Sequence, residues 1–68
     1  MDRATAIRAR IARARRFGES DQTIAQLRQQ YYAARAHEYV RDWLSSDAAP
    51  TSAQRRELAD LILSGGGA

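Results

Sequence analysis

Sixty-eight residues with 11 basic side chains, all Arg, 8 acidic ones and a single His carry a formal charge of +3, which leaves room for one domain and none for a multidomain enzyme. The absence of Cys excludes disulfides, thiolate metal sites and a Cys nucleophile, and His37 alone cannot build a zinc site. The apolar fraction is 44%, but 14 of those residues are Ala, so only 16 larger side chains are available for a core; a chain this short buries just ~60% of its unfolded surface.

Helical periodicity runs from end to end. Ala4, Ile7, Ile11 and Ala14 recur at 3-4-3 spacing and predict a first helix over about residues 2–16. Asp2 suits its N-terminus and Arg15 and Arg16 its C-terminus, with Gly18 as a left-handed cap. Ser20 or Asp21 then caps a second helix that extends to about Ser46. Its first half places Ile24, Leu27, Tyr31 and Ala34 on one stripe. Its second half places Tyr32, Ala36, Tyr39 and Trp43, with Val40 and Leu44 alongside, on another, about 130° away at 100° per residue. Residues 45–50 read as a linker ending in Pro50. Thr51 or Ser52 caps a third helix through about Leu63, with Leu58, Leu61 and Ile62 as its apolar face. The expected architecture is all-α, a small helical bundle. A long antiparallel hairpin (about 2–16 and 20–46) is closed by a short third helix (about 52–63) against the far half of the second. Residues 1–64 form one domain, and Gly65 to Ala68 a flexible tail.

Chemistry-bearing patterns are absent. There is no phosphate-binding Gly loop, no Ser–His–Asp set and no carboxylate cluster, so a non-enzymatic protein without cofactor, metal or small-molecule substrate is expected. Residues 1–17 lack a signal-type apolar core, and no run approaches the ~20 apolar residues that span a bilayer. A cytoplasmic protein without a membrane partner follows.

Ala33-Ala34-Arg35, Glu38-Tyr39-Val40-Arg41, Leu44, the linker Asp47-Ala48-Ala49-Pro50-Thr51, and Gln54-Arg55 through Leu58, Ala59, Leu61 and Leu63 form a recognisable pattern. Across residues 33–63 the chain resembles a family of short helical proteins encoded in actinobacteria and by their phages and prophages. Ala36 departs from the family's more frequent Leu, and the residues after Pro50 lack its usual second Pro. The resemblance implies an architecture and a phage or mobile-element origin, and with it a small regulator that binds a host protein or DNA. It implies no activity.

Charge is divided unevenly. Residues 1–16 hold six Arg against Asp2, a balance of +5, and residues 17–68 hold five Arg against seven acids, a balance of −2. Two readings stand: the Arg stems cover the Ile7/Ile11 seam and pair with acids of the second helix, or Arg8, Arg13, Arg15 and Arg16 meet phosphates or an acidic protein. Ala14, Gly18, Ile24 and Leu27 also match the spacing of a helix-turn-helix over residues 10–28, in which Gln22 and Gln26 would reach base edges. Glu19 and Asp21 oppose that match.

Four of the five aromatic residues, Tyr31, Tyr32, Tyr39 and Trp43, lie mid-chain. Tyr32, Tyr39, Val40 and Trp43 are either core, sealed by Leu58, Leu61 and Ile62, or an interface for a protein partner or a homodimer. His37 falls off both stripes and is expected in solvent. The leading expectation is a protein-binding module that self-associates; the alternative is a basic DNA- or RNA-binding regulator.

Overall fold

A computed structural model describes residues 2–65, and these form three helices: α1 (Arg3–Arg16), α2 (Asp21–Leu44) and α3 (Ser52–Leu63). Each start is fixed by a side-chain cap. The Asp2 carboxylate accepts the Thr5 amide at 2.7 Å, and Ser20 Oγ accepts the Thr23 amide at 3.1 Å. Thr51 and Gln54 form a reciprocal capping box, Thr51 Oγ1 accepting the Gln54 amide and Gln54 Oε1 accepting the Thr51 amide. Asp2, Ser20 and Thr51 thus stand just outside the helices they begin, and Ser45 caps α2 one residue short of the expected end.

The turn between α1 and α2 depends on Gly18, whose φ is +69°. Its amide donates to the Arg15 carbonyl and the Glu19 amide to the Ala14 carbonyl, the two bonds of a Schellman motif. The chain then reverses, and α2 runs back along α1. At the open end of this hairpin the half-buried Glu38 carboxylate accepts the Ala4 amide at 3.4 Å, a negative charge against the positive end of the α1 dipole.

The core is the seam of the hairpin. Ala4, Ile7, Ile11 and Ala14 of α1 pack with Leu27 and Ala34 of α2, and Ile24 and Tyr31 are partly buried against them. The first stripe of α2 therefore faces α1 as expected. The expected closure by α3 does not occur: none of its residues is buried, it makes no close backbone approach to either other helix, and it shares clefts only with Val40, Trp43 and Leu44 of α2. The linker explains this. Trp43 Nε1 donates to the Ala48 carbonyl at 2.8 Å, and Pro50 is buried beside it. The elbow directs α3 away from the hairpin axis instead of back along it. The result is a layer one helix thick. Its Cα extents are 45 × 32 × 10 Å and its radius of gyration 15.3 Å, against about 11 Å for a compact domain of this length.

Gly65, expected in the tail, instead ends α3 with a φ of +78° and an amide donated to the Ile62 carbonyl. The remainder of that tail, residues 66–68, lies outside the described residues.

Two outcomes follow. Gly18→Ala meets no steric obstacle to its Cβ, so its cost is the left-handed backbone alone, about 1 kcal/mol. A thermal melt followed by circular dichroism should show a Tm lower by roughly 4–8 °C. The Asp2 carboxyl lies below the usual carboxylate range, first because it accepts the Thr5 backbone amide. Its contribution is present above the unfolded-state pKa and lost as pH falls through the folded one. Helicity of α1 should decline over that acidic window, and Asp2→Ser, an uncharged cap, should remove this component of the decline.

Candidate protein interface

The second stripe of α2 lies on the side away from α1, as the angle between the stripes dictates. Tyr32 is 60% exposed and Tyr39 70%, so neither is core. The reading of these aromatics as a sealed interior is thereby corrected, because α3 departs before it can cover them. Trp43 is half-buried and stacks at a tilt on Tyr39, with ring centroids 6.3 Å apart. Tyr32 stands edge-on to Tyr31, 5.5 Å away. Val40 and Leu44 are also exposed. The surface is orderly as well as apolar: the Trp43 bond to Ala48 holds the indole, and Tyr39 leans on it.

α3 extends this surface. Leu58, Leu61, Ile62 and Leu63 are all exposed. Trp43 and Leu58 line two clefts, one shared with Val40, Pro50 and Ile62 and the other with Leu61 and Gln54. An apolar furrow thus lies on either side of the Trp43–Leu58 pair. The second furrow has a volume of about 590 Å³ and opens broadly to solvent. The face of α3 is visible in its spacing; what sequence reasoning missed is that it stays uncovered. The length of the third helix against that of the second was the available signal.

The basic helix presents a different arrangement. Arg8, Arg13, Arg15 and Arg16 are exposed, and among the described residues the one ion pair is Arg41–Asp42, at 3.7 Å on the surface. The expected pairing of α1 arginines with acids of α2 is not formed; Glu38 meets a backbone amide of α1 instead. Helical spacing directs Arg13 and Arg16 away from the seam, with Arg8 and Arg15 on one flank. Gln22 and Gln26, by the same geometry, lie on the side of α2 opposite α1. Two helix diameters, ~20 Å, then separate the outward arginines from the glutamines, so the structure does not assemble them into one surface. Nor do residues 10–28 form a helix-turn-helix, whose helices cross at ~90–120°. Ala14 and Leu27 instead belong to the core of an antiparallel pair. His37 is exposed, as expected.

At the open end of the hairpin, Asp2, Arg8, Arg35, Glu38 and Asp42 line a polar hollow with Tyr31 and Tyr39. Arg35 donates to the Tyr31 hydroxyl at 3.1 Å and lies 6.0 Å from its ring centre. Among the described residues no group of three or more His, Asp or Glu is arranged to hold a metal ion, and no helix is long and apolar enough to cross a membrane. Comparison with protein-family models, characterised proteins and solved structures finds no significant match.

Trp43→Phe keeps an aromatic ring but deletes the bond to Ala48, a hydrogen bond worth about 1 kcal/mol. Amide exchange should accelerate in residues 48–63 and stay unchanged along the α1–α2 seam. Equal acceleration in both regions would show that the elbow is not an independent element.

Proposed function

We propose that the chain is a non-enzymatic interaction protein of phage or mobile-element type, acting in the cytoplasm by binding a host or element-encoded protein. The observation that carries this reading is the continuous apolar edge of Tyr32, Tyr39, Val40 and Trp43, joined to a helix with no buried residue. Domains ordinarily close a core between two packed layers, and this chain has one layer. Exposed apolar surface organised by hydrogen bonds and stacked rings is characteristic of a contact surface. The mobile-element origin rests on the resemblance of residues 33–63 and on nothing else.

One observation favours a second reading, a nucleic-acid-binding regulator. The six arginines of α1 have no acidic partner among the described residues, and such a helix fits against a phosphate backbone. It would do so with no contribution from Gln22 or Gln26.

Affinity capture from a nuclease-treated host lysate separates the two. Tyr39→Asp should reduce captured protein about tenfold or more, as loss of an aromatic anchor does, and the triple change of Arg13, Arg15 and Arg16 to Ala should leave it intact. The reverse pattern, joined to a gel shift whose log–log salt slope is ~2.7 units shallower in the triple variant (three phosphate contacts at ~0.9 each), would select the second reading.

A further inference from the structure

Three properties of the exposed edge identify what covers it. The first is charge. A twofold interface sets each surface against its own copy, so a strongly charged face repels itself. Residues 1–16 carry +5, whereas residues 25–64 hold five Arg against five acids, a balance of zero. Only the α2/α3 side is close enough to neutral to pair with itself.

The second is area. With ~200 Å² for a whole aromatic side chain and ~100 Å² for an aliphatic one, the fractional exposures along α2 and α3, leaving out Leu63 on the other side of α3, amount to roughly 500 Å² of apolar surface. One side of a standard interface buries ~800 Å², rather more than half of it apolar. The edge has the size that one half of a stable dimer requires.

The third is spacing. Along the outer stripe of α2, Tyr32, Ala36 and Val40 are four residues apart, with the small Ala36 at the centre. Two antiparallel copies crossing at Ala36 set Tyr32 against Val40, and Tyr39 against the small Ala33, large side chains alternating with small ones. Ala at the crossing permits close approach of the two helices. In this register α3 of one copy leaves beside the first half of α2 in the other, where Ala25, Arg28, Gln29 and Tyr32 line a shallow groove.

We infer that a second copy of the chain occupies this edge, antiparallel about a twofold axis at Ala36, so that each α3 covers Tyr32 of the other copy. The inference rests on the reading of the edge as a protein interface and names its occupant. It gives the α3 leucines the burial that a single chain denies them, and it leaves both α1 helices on the outside of the pair.

Sedimentation of the native chain and two cysteine variants tests it. The native chain should run at twice 7.6 kDa, and Tyr39→Asp, which alters an exposed side chain and no core residue, should weaken association about tenfold or more. Because the chain has no Cys, Ala36→Cys introduces its only thiol, which a short bismaleimide should link across the axis. Ala9→Cys, on the outside of α1, should stay unlinked. A native chain monomeric at every concentration overturns the self-pairing but not the interface reading, which the capture experiment decides separately. A dimer that resists Tyr39→Asp, or that fails to link through Ala36→Cys, overturns the proposed pairing. A dimer linked through Ala9→Cys and indifferent to Tyr39→Asp overturns both.

Discussion

The molecule is organised by a single seam, in which Ala4, Ile7, Ile11 and Ala14 pack with Ile24, Leu27, Tyr31 and Ala34. Both strings repeat at 3-4-3, so each is a narrow stripe that one neighbouring helix satisfies completely. Alanine ends the α1 string on both sides and lets the backbones approach. The consequence is geometrical: α1 has no large apolar side chain left to offer a third element, and α2 must use its opposite side for every further contact. A second layer on this hairpin has no seam to grow from.

That restriction separates the two kinds of surface. The outward face of α1 is free to be basic, because nothing else packs on it. The far side of α2 is free to be aromatic for the converse reason. Basic and apolar surfaces thus lie on opposite edges of a thin sheet of helices, with the seam between them. Glu38 marks the boundary: it lies at the next core position of the α2 stripe, where an apolar residue would have prolonged the seam, and it receives the end of α1 instead. A carboxylate there stops the hairpin and favours one register.

Much of this was legible residue by residue. Helix starts could be placed within a position or two because capping is a local property of Asp2, Ser20 and Thr51. The reversal at Gly18 was legible because only a residue tolerant of positive φ suits it. The seam was legible because its period is that of a helix. The direction of α3 was not, since it depends on one indole–carbonyl bond and a buried proline within the linker; composition marks that segment as a break and says nothing of its angle. The exposure of Tyr32 and Tyr39 went with it, because they become interior or surface according to where α3 goes. That the α1 arginines have no acidic partner among the described residues was half legible: the charge excess is countable, but the acids of α2 had to be located before their distance from it was known.

The elbow has a further use. Trp43 is the only indole in the chain, and it sits between a linker carbonyl, a tyrosine ring and a cleft shared with α3. Its fluorescence therefore originates at one joint of the molecule and nowhere else. Far-ultraviolet dichroism is dominated by the 24 residues of α2 and the 14 of α1, so the two signals follow different parts of the same chain. The protein thus carries an intrinsic optical label at the hinge whose angle determines which of its surfaces is left uncovered.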